Sequence, residues 1–414
     1  MSREARRASA PAGAGHRARP KTPAPTGDAV KSAVSDSPTR SSTLARCLVG
    51  AHGPADDIRC ESVDWPPLVR AACDVWLGGV LLEAIERRRW PVPLPQMQQL
   101  RWQARQIRQN NVRMSQRLAR ISRTLRDRGV DVLLLKGAAL NLTVYDHPGL
   151  RAMADVDLMV RPEQVAHAQA VLRTLRFRKG RDQVRDDFFP KYYYELEYTA
   201  ERPWPLRIDV HARLLRPLRY ARTIPDDALW RDARLTDFEG GQVLIPSPGN
   251  MLIHLAAHAA CHGARPLRWL YDIKRLLDVE RTAIDWDIVV GRAGDWGLSL
   301  PVRVGLERTE QVFGPTAPPE AMTALGRARV TAADRLTLWH APRDEKHPVG
   351  HVLVNLLCTP GLRFRAGYLG AMLLPGRRHM ASVYRRRHAG WLACAHVYRW
   401  IRAIVRPLVP RTAC

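Results

Sequence analysis

The stretch that decides the fold runs from Leu133 to Val160 and reads LLLKGAALNLTVYDHPGLRAMADVDLMV. It opens within the apolar run Val132–Leu135, and a short, wholly apolar run is typical of a buried strand. Lys136-Gly137 then turns the chain into a small helix, which we predict over Ala138–Tyr145. Polar and apolar residues alternate over Asp155–Val160, which predicts a second strand.

Two aspartates, Asp155 and Asp157, alternate with apolar residues on this second strand. Residues two apart on a strand point to the same face, so the two carboxylates project together. A third carboxylate, Asp209, lies on a strand predicted over Leu206–Arg213, which is able to lie beside the first. Adjacent carboxylates repel each other, and three of them suit Mg²⁺ or Mn²⁺, which prefer oxygen ligands. The three aspartates therefore predict a metal site of the kind that supports phosphoryl chemistry.

The turn at Lys136-Gly137 predicts a seat for phosphate in front of this metal site. Glycine permits a tight turn between strand and helix. The helix beginning at Ala138 presents free backbone N–H groups, which bind anions. Lys136 and Arg151 add positive charge for the outer phosphates of a nucleotide.

The remaining pattern predicts an α+β fold, a small mixed β-sheet core between helical flanks. Further strands are predicted over Tyr192–Thr199 and Leu206–Arg213, with a hairpin over Leu235–Ile245 and a helix capped by Ser247. Before the core, helical spacing continues to Gly129, a predicted C-cap. We expect four units: a disordered basic tail over 1–58, N-terminal helices over 59–129, the α/β core over 130–246, and a helical domain over 247–414.

The chain is strongly basic, with 65 Lys and Arg against 40 Asp and Glu and a net charge of +25. Such a surplus favours polyanionic partners, including nucleotides and nucleic acid. Arginine far outnumbers lysine, however, and alanine and proline are abundant, as a GC-rich genome would also produce. No motif of a nucleic-acid reader accompanies the charge, so a nucleic-acid partner stays open but is not favoured.

Several features predict a protein of the cytoplasm. The seven cysteines are scattered and form no Cys-x-x-Cys pair, which argues against a disulfide framework. The first residues lack the apolar stretch of a secretory signal. No window of about 18 apolar residues occurs, so we expect no membrane span.

The combined motif closely resembles the uncharacterised nucleotidyltransferase family within the polymerase-β-like superfamily. That family has an apolar strand ending in Lys-Gly, then a tyrosine, then Arg-x-x-x-Asp-x-Asp-Leu. The matching residues are Lys136, Gly137, Tyr145, Arg151, Asp155, Asp157 and Leu158. The resemblance continues through Ile208-Asp209-Val210-His211, Leu255-x-x-His258 and Trp269-x-x-Asp272-Ile273, and it spans roughly residues 100–285.

The resemblance implies transfer of a nucleoside monophosphate from a nucleoside triphosphate to an acceptor hydroxyl, with release of pyrophosphate. The acceptor is an unidentified small molecule or protein. Asp155 and Asp157 would bridge the metal ions, and Asp209 would hold the catalytic one. The residues expected to touch substrate are Lys136, Gly137, Ala138, Arg151, His211 and His258.

One departure from the superfamily pattern leaves an alternative open. The superfamily usually has Gly followed by Gly or Ser at the phosphate turn, and this chain has Gly137-Ala138. The alternative to an active nucleotidyltransferase is a protein of the same fold that is catalytically degenerate and serves to bind nucleotide or as a scaffold.

Two other patterns have two interpretations each. The row His254-x-x-x-His258-x-x-x-His262 shares one helix face and could hold zinc, or its helix could pack on the core with Asp272 beside His258. The basic, helical segment 363–407 could lie on a membrane surface or cover the core with long arginine stems.

Overall fold

A computed structural model of the protein describes residues 38–49, 63–180, 185, 188–343, 348–384 and 394–398. Within the segment predicted as a disordered tail, residues 38–49 form a helix, α1 (Pro38–Val49). Its Leu44 and Leu48, four residues apart, are buried in the main core, which explains why this part of the segment is helical. The rest of the predicted tail, apart from α1, lies outside the described residues.

Seven strands form one mixed sheet in the order β3-β4-β5-β2-β1-β7-β6. The strands are β1 (Leu133–Leu134), β2 (Val156–Met159), β3 (Arg178–Lys179), β4 (Glu195–Ala200), β5 (Leu206–His211), β6 (Arg234–Phe238) and β7 (Gly241–Ile245). The pairs β2–β5 and β1–β7 are parallel, and the other pairs are antiparallel. The predicted small mixed sheet between helical flanks is therefore confirmed.

The three strands β2, β5 and β4 have one wholly apolar face. Its members are Val156, Leu158, Leu196, Tyr198, Ile208 and Val210, and all of them are buried. Burying one such side chain stabilises the fold by about 1.5–3 kcal/mol relative to leaving it in water. Because side chains alternate along a strand, the residues between these six are held on the opposite face.

The N-terminal helices are α2 (Trp65–Asp74), α3 (Gly78–Arg88) and α4 (Leu94–Asp127). The long helix α4 packs through an apolar stripe at spacings of three, four and seven. This stripe is Ile107, Met114, Leu118, Ile121 and Leu125. Gly129 follows the helix with φ of +73°, a left-handed conformation that ends the helix and that glycine adopts without strain.

Among its described residues, the sheet region contains the helices α5 (Lys136–Thr143), α6 (Val165–Thr174), α7 (Phe188–Lys191) and α8 (Leu218–Thr223). A 3-10 turn, Pro162–Gln164, precedes α6. Helix α5 begins at Lys136, two residues before the predicted start. The cause is Leu135, whose extended backbone makes it the residue before the first helical turn.

The last part of the chain is helical. Its helices are α9 (Pro248–Cys261), α10 (Leu267–Val279), α11 (Trp286–Asp295), α12 (Ser299–Phe313), α13 (Pro319–Arg327), α14 (Ala332–His340), α15 (Pro348–Cys358), α16 (Leu362–Leu373) and α17 (Arg377–Tyr384). Ser247 precedes α9, but its hydroxyl donates to Asp232 at 3.0 Å and does not cap the helix. Helix α12 approaches α9 closely, because a Cβ on Gly305 would lie 2.3 Å from the Ala256 carbonyl oxygen.

One hydrophobic core runs through most of the molecule. It includes Leu81 of α3, Leu134 of β1, Leu252 of α9 and Leu306 of α12. The N-terminal helices, the sheet and the first helices after it therefore share a single core. A second, smaller cluster joins α16 to α7 and α8 through Phe188, Tyr192, Leu218, Tyr368 and Ala371.

The described residues bear on the expectations about membrane spans and cysteines. Over the described ranges, no helix is both long and apolar enough to cross a bilayer. The described cysteines, Cys47, Cys73, Cys261, Cys358 and Cys394, form no disulfide with one another. Of the basic segment 363–407, the structure describes α16, most of the following residues to Tyr384, and residues 394–398.

Candidate active site

The face of the sheet opposite the apolar one is polar, and we call it the acidic face. Its ionisable residues are Asp155, Asp157, Glu195, Glu197, Arg207, Asp209 and His211. Asp157 lies directly opposite Asp209 in the parallel pair β2–β5. Glu197 lies opposite Asp209 in the antiparallel pair β4–β5. Paired residues point to the same side of a sheet, so strand pairing brings these carboxylates together.

Asp157 is held in its charged form by two neighbours. Lys136 Nζ donates a hydrogen bond to Asp157 Oδ1 at 2.7 Å, and His211 Nε2 lies 2.9 Å from the same oxygen. Burial opposes the charge of Asp157, but Lys136 and His211 overcome it and hold the pKa of Asp157 well below its usual range. Burial likewise opposes the charge of Lys136, while Asp157 and Glu195 raise the pKa of Lys136 above its ordinary value. The two residues form a charged pair.

Asp209 is held in its protonated form, although it lies beside the charged Asp157. Burial, followed by the charges of Glu195 and Asp157, raises the pKa of Asp209 to about 9. Arg207 Nε lies 4.0 Å from Asp209 Oδ2, and its charge only partly offsets this effect. Asp209 therefore keeps a proton at neutral pH until further positive charge reaches it.

Arg207 is shared among the carboxylates around it. It donates a hydrogen bond to Asp155 and lies 4.0 Å from Glu197. Burial opposes its charge, but Asp155 and Asp209 raise the pKa of Arg207 above its ordinary value. In the part of the chain that the structure describes, four carboxylates of the acidic face thus contact two basic side chains, Lys136 and Arg207, and the fifth, Glu195, contacts His211.

The residues of the acidic face fit a divalent cation. One ligand atom each of Asp157, Glu195 and His211 lies within 4.8 Å of the other two, close enough to share one ion. His211 is fully buried, its Nε2 is 3.3 Å from Glu195 Oε2, and its Nδ1 has no hydrogen-bond partner among the described residues. Oxygen donors suit Mg²⁺ and Mn²⁺, and the pKa of Asp209 is raised by burial and then by the neighbouring carboxylates Glu195 and Asp157, whose repulsion a cation would relieve.

Glu195 and Glu197 are the functional candidates that the sequence analysis missed. The stretch Glu195-Leu196-Glu197-Tyr198 lies within a predicted strand, and its alternation places both glutamates on one face. That alternation was the available signal. It did not reveal that this face is the one that carries Asp157, because the order of the strands decides that.

The turn that precedes α5 has an unusual backbone. Lys136 has φ of +43°, a left-handed conformation that side-chain-bearing residues rarely adopt. A Cβ on Gly137 would lie 2.3 Å from Arg151 Nη1, so only glycine leaves room for that guanidinium. Ala138 is buried, so any contact it makes with a phosphate uses its backbone N–H. Strained turns of this kind cluster at ligand sites.

Arg151 is engaged away from the acidic face. Its Nε and Nη2 each donate to a carboxylate oxygen of Asp272 at 2.9 Å, and Tyr145 Oη donates to Asp272 Oδ1 at 2.8 Å. Arg151 and Asp272 are both buried. On the next turn of α10, Arg275 Nε donates to the Val144 carbonyl oxygen at 2.9 Å. Helix α10 therefore anchors the loop that joins α5 to β2.

A residue of α4 anchors the same loop from the other side. Asn111 Nδ2 donates to the carbonyl oxygens of Pro148 at 2.8 Å and Arg151 at 2.6 Å. Its Oδ1 accepts from the Met153 N–H at 3.2 Å. Asn111 is buried, so its hydrogen bonds hold the backbone just before Asp155 in place.

The histidine row of α9 lies behind the phosphate turn. The His258 ring centroid lies 4.8 Å from that of Trp269 and 4.6 Å from that of His262. Burial, followed by the charge of Lys136, lowers the pKa of His254 and of His258 well below the usual range, so both rings are neutral. The three-residue metal cluster found in the described ranges is on the acidic face and does not include this row. Asp272 contacts Arg151 and Tyr145 in place of His258.

Comparison with known proteins gives one family and one structural relative. The profile of a family described as "Uncharacterised nucleotidyltransferase" matches residues 61–314, more than half of the chain. The crystal structure of an antigenic nucleotidyltransferase-like protein from Paracoccidioides brasiliensis is similar at 14% identity and a TM-score of 0.34, over 53% of this chain and 95% of that chain. No curated protein matches the chain. The family match includes the whole acidic face, the Lys136-Gly137 turn and α10.

Proposed function

The chain belongs to the uncharacterised nucleotidyltransferase family, and we propose on that premise that it transfers a nucleoside monophosphate from a nucleoside triphosphate to an acceptor hydroxyl. The observation that carries the proposal is the register of β2 and β5, which sets Asp157 beside Asp209. Asp155, immediately before β2, contacts Arg207 on the same face. Two aspartates on neighbouring strands and a third just before β2 form a donor set that suits a metal-dependent phosphoryl transfer.

Asp155, Asp157 and Asp209 would hold Mg²⁺ or Mn²⁺. When bound, the metal would supply positive charge to the triphosphate and to the departing pyrophosphate. Glu195 lies within reach of the same ion as Asp157 and would add a fourth carboxylate. His211 is fully buried behind Asp157 and Glu195, so in this proposal it positions those two carboxylates and does not touch the substrate.

The reaction exchanges one bond to the α-phosphorus for another. The acceptor oxygen attacks the α-phosphorus and passes its proton to ionised Asp209, while the bond from that phosphorus to the oxygen bridging to the β-phosphate breaks and pyrophosphate leaves. The protein contributes position and charge to such a reaction. In this proposal, Asp209, once ionised, would polarise the acceptor hydroxyl. Lys136 and the backbone N–H groups of Gly137 and Ala138, at the start of α5, would hold the phosphates.

The alternative is a protein of the same fold that binds nucleotide without turnover. The observation in its favour is Ala138, which has no hydroxyl to offer a phosphate and whose side chain is buried. Nucleotide binding without pyrophosphate release across a broad panel of acceptors would favour this alternative.

The test of the proposed function is Asp157→Asn. With each labelled triphosphate, Mg²⁺ or Mn²⁺, and cell extract as the source of acceptor, we expect label transfer by the wild type. Transfer by Asp157→Asn should fall by about 10³-fold or more, because a carboxylate of the metal site is lost. The matched control is Asp278→Asn, an exposed aspartate on α10 that pairs with Lys274. Circular dichroism verifies that both variants fold, and full activity in a folded Asp157→Asn would refute the assignment.

A further inference from the structure

Arg268 lies near the start of α10, one helical turn before Asp272. Residues four apart share one face of a helix, so Arg268 and Asp272 face the same way. Asp272 holds Arg151, and Arg151 Nη1 occupies the space in which a Cβ of Gly137 would lie. A continuous set of contacts therefore leads from the phosphate turn to the helix face that carries Arg268.

The other basic side chains around the turn are already engaged. Lys136 binds Asp157, Arg151 binds Asp272, and Arg207 binds Asp155. Arg268 has no hydrogen bond or ion pair with any residue in the described ranges. A guanidinium carries five N–H donors, and those of Arg268 are available to a ligand.

The electrostatic surroundings of Arg268 favour an anion. Burial, followed by the nearby charge of Arg151, lowers the pKa of Arg268, while Asp272 and Asp155 act in the opposite direction. Part of the side chain stays accessible, so a ligand is able to reach it. Arginine stays protonated at neutral pH, and a half-buried cation without a partner is costly. An anion between Arg268 and the phosphate turn would remove that cost.

We propose that Arg268 binds the outer phosphates of the nucleoside triphosphate, and that Arg151 supports the turn without touching the nucleotide. The guanidinium fork matches phosphate oxygens in a two-point contact. This inference rests on the proposed function and assigns a subsite within it. It moves the triphosphate contact expected of Arg151 to a residue of α10, a helix that lies more than a hundred positions further along the chain.

The experiment measures affinity against the length of the phosphate chain. The full-length protein is titrated calorimetrically, in Mg²⁺, with nucleoside mono-, di- and triphosphates of the preferred base and with inorganic tripolyphosphate. In Arg268→Gln, we expect affinity for the triphosphate and for tripolyphosphate to fall about 10- to 100-fold, as for the loss of a charged hydrogen-bonding group. Affinity for the monophosphate should change by less than about 2-fold, since it lacks the outer phosphates.

The matched control is Arg265→Gln, which removes the same charge from an exposed position three residues earlier. Its affinity for every ligand should equal that of the wild type. Arg268→Lys keeps the charge without the fork and should recover part of the triphosphate affinity. If Arg268→Gln unfolds at a lower temperature than the wild type, the same series of phosphates is measured with Arg268→Lys. A loss of affinity in Arg268→Lys for the triphosphate, but not for the monophosphate, then supports the inference.

Three results would overturn the inference. Triphosphate affinity equal to wild type in Arg268→Gln would show that the guanidinium binds no outer phosphate. An equal loss for mono- and triphosphate would indicate a structural role. Failure of the wild type to bind any triphosphate would refute the proposed function and the inference together. Binding by the wild type with no selective loss in the variant refutes the inference alone.

Discussion

Two groups of charged side chains meet around the loop from α5 to β2, and they differ in how completely the charges are matched. In the first, which we call the closed cluster, Tyr145, Arg151 and Asp272 pair with one another in the interior. Both oxygens of Asp272 accept hydrogen bonds, and the two hydrogen bonds from Arg151 are parallel. The closed cluster has little left to offer a ligand.

The acidic face contains the same residue types in unequal numbers. Its carboxylates share Lys136 and Arg207, and burial, followed by the charges of Glu195 and Asp157, raises the pKa of Asp209 to about 9. The comparison shows that arginine and aspartate stabilise a fold where donors match acceptors, and that they favour a cation where carboxylates outnumber the donors. Three variants test this difference.

The largest expected effect is on the closed cluster. Asp272→Asn leaves the Arg151 guanidinium buried without its counter-charge, and breaking a buried pair in this way costs about 3–5 kcal/mol of unfolding free energy. Urea unfolding followed by far-ultraviolet circular dichroism measures this loss. The control is Asp278→Asn on the same helix, whose exposed pair with Lys274 should contribute less than about 0.5 kcal/mol. A loss below about 1 kcal/mol in Asp272→Asn would mean that the closed cluster does not hold the loop.

The second effect has the opposite sign. Asp209→Asn removes a carboxyl group that its neighbours destabilise, so in EDTA at pH 8 it should raise the unfolding free energy by about 1–3 kcal/mol. Added Mg²⁺ or Mn²⁺ should stabilise the wild type more than this variant. A destabilised Asp209→Asn in EDTA would show that the acidic face is balanced without a cation.

The pH dependence of the same variant follows from the direction of the shift. The folded state keeps the Asp209 proton up to a pKa of about 9, whereas the unfolded chain releases it near the ordinary value of 3.8. Between these values the folded state binds more protons, so this group makes the wild type less stable as pH rises. The advantage of Asp209→Asn should therefore grow from pH 4 to pH 8.5 and vanish near pH 3.5.

The smallest expected effect distinguishes two glutamates on one strand. Glu195→Gln removes a carboxylate from the cluster with Asp157 and His211, and Mn²⁺ affinity should fall by about 10-fold. Calorimetric titration with Mn²⁺ measures the change. Glu197→Gln is the matched control on the same face of β4, because Glu197 lies outside that cluster, and its effect should be less than about 3-fold. Equal effects would show that the ion does not reach Glu195.

The sequence predicted β1 and β2 because the patterns that indicate a strand are formed by residues next to one another in the chain. Alternation over Asp155–Val160 predicted β2 and the shared face of Asp155 and Asp157, and apolar runs predicted β1. The start of α5 was misplaced by two residues, because the extended backbone of Leu135 leaves no mark in composition. Ser247 was expected to cap α9, but Asp232, fifteen residues earlier, takes its hydroxyl.

The sequence by itself determined the order of β1, α5, β2, β4 and β5 along the chain and the side of each strand on which a carboxylate lies. Backbone geometry repeats every two residues in a strand and every 3.6 in a helix, so both properties can be derived from neighbours in the chain. Only the tertiary structure decided that β4 joins β5 on the far side from β2, which brings Glu195 to Asp157. It alone decided that Asp272 takes Arg151, across 121 positions of sequence. Contacts between residues far apart in the sequence depend on packing and charge balance over the whole fold, so no local sequence pattern predicts them.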